Sequence, residues 1–268
     1  MSQDMFSLRG KIAMVAGANG ILGPVFSDAL AAAGADVIVA DTVPPERLAE
    51  EITQRHGVRT RAIGIDLRDA AGTRAAIDGI EAGFGPIDVF HGNAASKGAS
   101  LEAFFAEDEA YDPAVWREIV SVNLDGLFFA ATAAGRHMAA RGSGSVVLTT
   151  SIYGLMAPDQ RIYEGAEYLG RPIRSPAVYS ASKAGVVGLV RHLAALWGGR
   201  NVRVNAIAPG GVGSGQNGVF HQNYSRRVPM GRMARPEEMA GALVFLASDA
   251  SSYITGQTIA VDGGLSCW

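Results

Sequence analysis

Two side chains suited to acid–base chemistry stand four residues apart, at Tyr179 and Lys183. The surrounding segment has the pattern of a helix, in which residues i and i+4 project from one face. A free tyrosine has a pKa near ~10 and exchanges protons poorly at neutral pH, but an ammonium group close by favours phenolate and lowers that pKa. The pair therefore predicts a phenol adjusted to act as a general acid or base. When this spacing occurs alone, a packed tyrosine beside an exposed lysine is the commoner meaning.

A glycine-rich turn near the N-terminus could bind phosphate groups. The short apolar run 11–16 leads into Gly17, Gly20 and Gly23, and a helical pattern follows to about Ala33. A pyrophosphate needs backbone N–H groups at a helix N-terminus and no Cβ in its way, which glycine provides. The order of strand, loop and helix predicts a dinucleotide site, although a tight turn without a ligand has the same composition.

The end of the next predicted strand indicates which dinucleotide the turn would bind. It spans 36–40 and is followed by Asp41, eighteen positions after Gly23. A carboxylate there would accept both ribose hydroxyls of NAD and repel the 2′-phosphate of NADP, and the following residue is Thr42 rather than an arginine. We expect NAD as the cofactor, with NADP the less favoured alternative, for which Arg47 leaves room. The carboxylate could also only cap the turn that follows it.

Hydrophobic patterning along the chain alternates between strands and helices. The 268 residues are 48% hydrophobic, with no break in composition that would mark a linker. The predicted strands are 11–16, 36–40, 59–65, 87–91, 145–150, 202–207 and 258–261. The predicted helices are 21–33, 45–56, 70–83, 112–139, 177–197 and 236–248. This alternation predicts a single α/β domain over residues 1–268, a Rossmann-type doubly wound parallel sheet of about seven strands with helices on both faces.

Composition excludes several classes of partner. A net charge of −3 and a pI near 6.0, without a basic run, indicate that nucleic acid is not a partner. Residues 1–4 begin no apolar signal segment and no apolar stretch reaches 18 residues, so we expect a cytoplasmic protein that does not cross a membrane. The single cysteine, Cys267, cannot form an internal disulfide, and no metal site is expected.

Together with further motifs, the turn and the Tyr179/Lys183 pair resemble the short-chain dehydrogenase/reductase family from about Leu8 to Gly264. The further motifs are IDL at 65–67, GNAA at 92–95, VN at 122–123, TS at 150–151, NAIAPG at 205–210, and TGQ with VDGG between 255 and 264. Their order and spacing match the family. The resemblance implies an NAD(P)-binding domain and a homotetramer.

The resemblance also implies catalytic roles for four residues. Tyr179 would be the acid/base, and Ser151 would hydrogen-bond the substrate oxygen and stabilise charge developing on it. Lys183 would lower the pKa of the tyrosine and bind the nicotinamide ribose. Asn123 would hold a water molecule that relays protons to the lysine.

The cofactor-binding residues that the resemblance implies include Asp66 at the adenine, Asn93 at the sheet edge beneath the cofactor, and Pro209 and Gly210 around the nicotinamide. The full expected set is Gly17, Asn19, Gly20, Ile21, Leu22, Gly23, Asp41, Asp66, Leu67, Asn93, Ala94, Tyr179, Lys183, Pro209, Gly210 and Val212.

An insert at about 157–176 sets this chain apart, because Ser151 and Tyr179 are 28 positions apart, further than is usual in the family. Its sequence resembles oxidoreductases of flagellin-modification and sialic-acid-like sugar pathways. A polar, arginine-containing lining suits a polyhydroxylated or anionic substrate, since guanidinium binds anions in bidentate fashion. The expected substrate contacts are Ser151, Tyr153, Arg161, Arg171 and Arg174. The alternative is a solvated surface loop or a subunit contact.

The sequence therefore predicts an NAD-dependent oxidoreductase of class EC 1.1.1.-, which interconverts a secondary alcohol and a ketone, or a lactol and a lactone, on a sugar-like substrate. The spacing of Gly17, Gly20 and Gly23 leaves open a sugar epimerase or dehydratase that retains its NAD and yields no net NADH. A third alternative is a protein that binds NAD as a sensor without turnover. A complete set of catalytic groups favours chemistry.

We expect a homotetramer of two-fold symmetry in solution, because the resemblance places the apolar helical segments 115–138 and 177–197 between subunits. Light scattering at micromolar concentration should give four times the mass of the 27.9 kDa chain. A monomer would contradict this assignment.

Overall fold

Seven parallel strands form the central sheet of the computed structural model, which describes residues 5–268. Residues 1–4, on which part of the localisation prediction rests, lie outside the described residues. The strands are β1 (Ile12–Ala16), β2 (Asp36–Asp41), β3 (Thr60–Gly64), β4 (Val89–Gly92), β5 (Gly144–Thr149), β6 (Glu167–Tyr168), β7 (Arg171–Pro172), β8 (Val202–Pro209) and β9 (Thr258–Val261). The sheet has the order β3-β2-β1-β4-β5-β8-β9, and its seven strands match the predicted ones to within about two residues.

Helices cover both faces of this sheet, as predicted. The helices are α1 (Gly23–Ala32), α2 (Glu46–His56), α3 (Ala70–Gly83), α4 (Leu101–Phe104), α5 (Pro113–Val120), α6 (Leu127–Arg141), α7 (Ala177–Trp197), α8 (Gly218–Ser225) and α9 (Ala240–Ala247). All five residues of β1 are buried, and they alternate between two apolar clusters. Met14 packs with α3, α6 and α7, whereas Val15 packs with α1, α2 and α9. Burial on both faces explains why the strands are continuous apolar runs.

The strand order reverses between β1 and β4, and this is the point where open α/β sheets bind ligands. The Asn93 amide Nδ2 donates to the Gly17 carbonyl over 2.9 Å and the Asn93 backbone N–H donates to Ala16 over 2.8 Å. Gly17 has a φ of +91°, and a Cβ on it would lie 2.5 Å from the backbone nitrogen of Ala94. Only glycine allows this close approach of the two strand ends.

The predicted helix 112–139 is interrupted. A π-helical turn, Ser121–Gly126, separates α5 from α6 and contains Asn123. Turns of this type occur inside α-helices and are frequent at functional sites. The apolar pattern on either side is helical, so the sequence does not reveal the interruption. The short helices α4 and α8 are likewise absent from the predicted elements, and the first turn of the predicted helix 236–248 is a 3₁₀ turn.

The segment 157–176 is packed against the rest of the chain through apolar side chains. Ile162 and Ala166 are buried with Phe220 and Tyr224 of α8, in a small cluster separate from those on the two sheet faces. Its end forms the antiparallel β6–β7 hairpin. The segment is therefore more than a solvated loop, and it forms a wall beside the carboxyl end of β5.

The longest described helix, α7, carries both Tyr179 and Lys183. Neither it nor any other helix within residues 5–268 combines the length and hydropathy needed to cross a membrane.

A buried histidine in β4 supports the strand that leads to the site. His91 is fully buried, and its Nδ1–H donates to the Val147 carbonyl over 3.0 Å. Its Nε2 is then left to accept from the Thr149 hydroxyl at 3.3 Å. Burial lowers the pKa of His91 to about 4, against the raising effect of the hydrogen bond to Val147. The neutral ring therefore belongs to the folded state.

We expect His91 to make the protein sensitive to acid. His91 binds a proton near pH ~6.5 in the unfolded chain and only near pH 4 in the folded chain. The free energy of unfolding therefore falls as the pH falls between these two values, by about 3 kcal/mol in total. Urea unfolding of the wild type and His91→Asn at neutral pH and at about pH 4.5 should show a smaller acid-induced loss in the variant. His192→Asn, at an exposed position, is the matched control. Equal losses in all three proteins would contradict the assignment.

Candidate active site

Two cavities meet at the carboxyl ends of the strands. The larger has a volume of about 650 Å³ and runs from the glycine turn to the end of β8. The smaller has a volume of about 230 Å³ and lies between the end of β5, α8 and the segment 157–176. Both are lined by Ser151 and Tyr179. A molecule in one cavity would thus contact a molecule in the other beside these two hydroxyls.

Ser151 and Tyr179 form the polar centre of this junction. Ser151 lies two residues after the end of β5, and it faces the same two cavities as Tyr179. Burial raises the pKa of Tyr179, and the hydrogen bond to Ser151 partly opposes this effect. The sequence-based expectation of a lowered pKa is therefore wrong for the protein alone. Spacing along a helix gives proximity to Lys183 but not the desolvation of the phenol.

Lys183 lies beneath the tyrosine with only 2% of its surface exposed. Its ammonium donates to the Thr149 carbonyl over 3.1 Å and lies 6.0 Å from the centre of the Tyr179 ring. The Thr150 hydroxyl donates to the Lys183 carbonyl, which fixes this turn of α7 against β5. Burial lowers the pKa of Lys183 to about 8, so the cationic form still predominates at neutral pH. This cation can stabilise a phenolate that forms next to it.

Asn123, for which the resemblance implies a proton relay, has its side chain bonded to the backbone of the loop after β4. It is fully buried, and it is not one of the described residues that line the two cavities. Its Oδ1 accepts from the Ser96 backbone N–H over 2.7 Å, and its Nδ2 donates to the Ser96 carbonyl over 3.3 Å. The side chain therefore joins the π-helical turn to the loop that follows β4.

Most of the expected cofactor residues line the larger cavity. These are Gly17, Gly20, Ile21, Leu22, Asp41, Asp66, Leu67, Asn93, Ala94, Tyr179, Lys183, Pro209, Gly210 and Val212. Asn19 and Gly23 do not. The Asn19 backbone N–H donates to Asp41 Oδ2 over 2.9 Å, and Gly23 begins α1 where a Cβ would collide with the carbonyl of Gly17. The two residues shape the turn rather than its open surface.

The larger cavity has the features that a dinucleotide requires. The glycine turn at the start of α1 leaves backbone exposed where a side chain would block a phosphate. Asp41 lies at the end of β2, with its Oδ1 accepting from the Thr42 backbone N–H over 2.8 Å. Arg47 points away into solvent, where it pairs with Glu51 at 2.7 Å. Just after β3, the side-chain hydrogen bonds from Arg68 lower the pKa of Asp66.

Of the three arginines expected to contact substrate, only Arg174 lines the smaller cavity. Arg161 is turned towards Asp159 at 2.8 Å and is largely exposed. Arg171 lies on the β6–β7 hairpin, 3.4 Å from Glu102. The two arginines have carboxylate partners outside the described cavities, and the sequence cannot reveal these pairs. Tyr153, the other expected contact, does line the cavity, and its hydroxyl accepts from that of Tyr163 over 3.2 Å.

Several lining residues were missed by the sequence analysis, foremost among them Lys97. It lines both cavities, and its ammonium lies 4.2 Å from the centre of the Tyr168 ring. The smaller cavity also includes Gln216 and Tyr224. A signal for Lys97 exists, since it follows the Asn93 motif at the end of β4, where ligands bind in this class of sheet.

A family model described as enoyl-(acyl carrier protein) reductase matches residues 15–266. The chain belongs to the short-chain dehydrogenase/reductase family. It is 36% identical to galactitol 2-dehydrogenase (L-tagatose-forming) of Cereibacter sphaeroides, a match that covers 99% of each chain. It is 35% identical to 2-dehydro-3-deoxy-D-gluconate 5-dehydrogenase of Escherichia coli, over 98% of each chain.

Solved structures of the family share the whole fold. A gluconate 5-dehydrogenase from Burkholderia cenocepacia, in complex with NADP and tartrate, is 31% identical and superposes with a TM-score of 0.83 over 99% of this chain and 98% of that one. A short-chain dehydrogenase from Leptospira borgpetersenii with bound NAD⁺ is 27% identical, with a TM-score of 0.85 over 99% and 96% of the chains. The chain is thus homologous to sugar and polyol dehydrogenases. The narrower resemblance to flagellin-modification enzymes is not supported.

Replacing Tyr179 by Phe should lower kcat at least about a hundredfold, because it removes the hydroxyl that would transfer the proton. Binding of NADH, measured by titration calorimetry, should stay nearly unchanged, since the phenol does not contact the adenine half of the larger cavity. Tyr253→Phe, at a fully exposed tyrosine, is the matched control. Substantial residual turnover in Tyr179→Phe would assign the proton transfer to another group.

Proposed function

We propose that the protein is an NAD-preferring dehydrogenase that interconverts a secondary alcohol and a ketone on a sugar, polyol or sugar acid. The junction of the two cavities at Ser151 and Tyr179 carries this proposal. One cavity has the features that a dinucleotide requires. The other adjoins it at these two hydroxyls, where a substrate carbon could lose a hydride to the first cavity while the oxygen on that carbon loses a proton. Homology to galactitol and deoxygluconate dehydrogenases supports the substrate class.

When bound, the nicotinamide would accept or supply the hydride. In the oxidative direction the Ser151 hydroxyl donates to the substrate oxygen and orients it, while Tyr179 as phenolate takes the hydroxyl proton. Lys183 holds a positive charge below the phenol and offsets the effect of burial on the phenolate. In the reductive direction the phenol returns the proton to the oxygen of the carbonyl.

The smaller cavity suits a short, hydroxylated molecule. Its volume of about 230 Å³ is below the range of about 300–1,000 Å³ that is typical for drug-sized ligands. Its polar lining consists mainly of hydroxyl and amide groups, from Ser151, Ser175, Gln216 and the tyrosines Tyr153, Tyr163, Tyr168, Tyr179 and Tyr224. Such groups can donate to and accept from the hydroxyls of a sugar chain.

The carboxylate of Asp41 supports the preference for NAD. It lines the larger cavity with Thr42, and Arg47 is directed to Glu51 instead of the cavity. Arg68 also lines the cavity, but it forms an ion pair with Asp66 at 2.6 Å. A 2′-phosphate next to Asp41 would meet a carboxylate and no uncommitted guanidinium.

The activity is tested by incubating the protein with NAD or NADP and a panel of sugars, polyols, sugar acids and simple secondary alcohols, with absorbance of the reduced nicotinamide as the readout. We expect reduction of NAD with polyols or sugar acids and little with simple alcohols. An epimerase or a dehydratase would convert its substrate without net NADH, and a sensor would bind the cofactor without turnover. Either result would overturn the proposal.

The double variant Asp41→Ala, Thr42→Arg should move the preference towards NADP, because it removes the repulsion and supplies a phosphate partner. The ratio of kcat/KM for NAD to kcat/KM for NADP is the measurement, and it should exceed one in the wild type and fall at least tenfold in the variant. Glu50→Ala with Gln54→Arg, at two exposed positions of α2 that line neither cavity, is the matched control. A wild-type ratio at or below one would exclude the NAD preference.

A further inference from the structure

The charges around the smaller cavity are all of one sign. Among the residues that the structure describes, two cationic side chains, Lys97 and Arg174, line it, and no aspartate or glutamate does. Neutral groups supply the rest of the wall: phenols, serine hydroxyls, a glutamine amide, apolar side chains and backbone. A cavity with this lining attracts an anion and gives no charged partner to a cation.

Lys97 has no acidic partner within residues 5–268. None of the described ion pairs includes it. Its neighbour instead is the face of Tyr168, 4.2 Å away, an attractive contact that leaves the ammonium hydrogens available. The nearby carboxylate of Glu118 lies beside Gly98 on the larger cavity and interacts with Arg68. Lys97 is therefore a cation at the cavity wall whose charge the protein leaves uncompensated.

The backbone around Lys97 is held in place. Asn123 binds both the N–H and the carbonyl of Ser96, the residue before it. The Gly98 backbone N–H, on the other side, donates to the Ser96 hydroxyl over 2.9 Å. Although its side chain is solvent-exposed at the cavity, surrounding protein atoms lower the pKa of Lys97 by desolvation. A positioned and partly desolvated cation binds an anion better than a free surface lysine does, because less freedom and less hydration are lost on binding.

Arg174 can add a second contact. Its guanidinium reaches Glu107 only at 3.7 Å, and this glutamate is largely exposed. An exposed ion pair of this length holds the side chain weakly. The guanidinium can therefore turn towards a bound anion on the side of the cavity formed by the segment 157–176.

We propose that Lys97 determines substrate specificity by binding the carboxylate of a sugar acid, with Arg174 as an auxiliary contact, while a secondary hydroxyl of the same molecule reaches Ser151 and Tyr179. This inference rests on the proposed dehydrogenase function. Family membership does not decide the point, because the relatives include a dehydrogenase named for a neutral polyol and one named for a sugar acid. The unbalanced charge of the cavity favours the acid.

The test compares matched substrates in the wild type: aldonic acids, alditols of the same chain length and configuration, and the corresponding sugar phosphates. We expect kcat/KM to be at least tenfold higher for an acid than for its alditol. Lys97→Met should lower kcat/KM for the acid at least tenfold, mainly through KM, and should lower kcat/KM for the alditol much less, since the alditol has no carboxylate. Lys97→Arg should restore part of the activity on the acid, since it keeps the charge.

Lys11→Met is the matched control, because this lysine precedes β1 at the opposite edge of the sheet. This variant should change kcat/KM for neither substrate. Affinity is separated from turnover by measuring the Kd of the acid for Tyr179→Phe loaded with NADH and for the double variant Tyr179→Phe, Lys97→Met loaded in the same way. If Lys97→Met does not fold, the acid-to-alditol ratio of the wild type still decides the question.

Equal kcat/KM for acids and alditols would overturn the inference, and so would a preference for sugar phosphates over acids. It would also be overturned if Lys97→Met weakened NAD binding and lowered kcat/KM equally for both substrates, because Lys97 would then be a cofactor contact. Each of these leaves the dehydrogenase function intact. Absence of nicotinamide reduction with acids and alditols alike would instead remove the proposed function itself.

Discussion

The close approach of Gly17 to Ala94 is the constraint on which the site depends. The two residues lie just after β1 and β4, the strands between which the sheet order reverses, and the hydrogen bond from Asn93 to Gly17 links the two loops. A side chain at Gly17 would push the loop after β4 away from the glycine turn. That loop carries Lys97 and is tied to Asn123, so a displacement here would reach both cavities. The backbone of one glycine thus sets the relative position of cofactor and substrate walls.

Local sequence was sufficient to predict the sheet and most of the residues that line the larger cavity. Residues such as Gly17, Asp41 and Ser151 follow apolar strands directly, and parallel strands bring their carboxyl ends to one edge. The position of such residues therefore follows from the order of elements alone. The same holds for Tyr179 and Lys183, which share one turn of a helix.

The wall of the smaller cavity, here called the substrate wall, could not be predicted in this way, because it is formed by residues distant in sequence. Lys97 meets Tyr168 only after the segment 157–176 has folded onto α8, and Arg171 pairs with Glu102, which is 69 positions away in the sequence. The direction in which the pKa of Tyr179 shifts depends on how many protein atoms surround the phenol. The spacing of residues along the sequence does not reveal this number. The π-helical turn at Asn123 likewise leaves no mark in the hydrophobic pattern.

The separate apolar cluster beneath the substrate wall has a consequence for motion. Ile162 and Ala166 pack with Phe220 and Tyr224, and this cluster shares no member with the two that cover the sheet. Separation of the segment from α8 would expose members of this cluster and would leave the two clusters on the sheet covered. Local opening of this kind has a smaller free energy than global unfolding. We therefore expect the wall of the smaller cavity to open at a lower free energy than the sheet edge at the larger cavity.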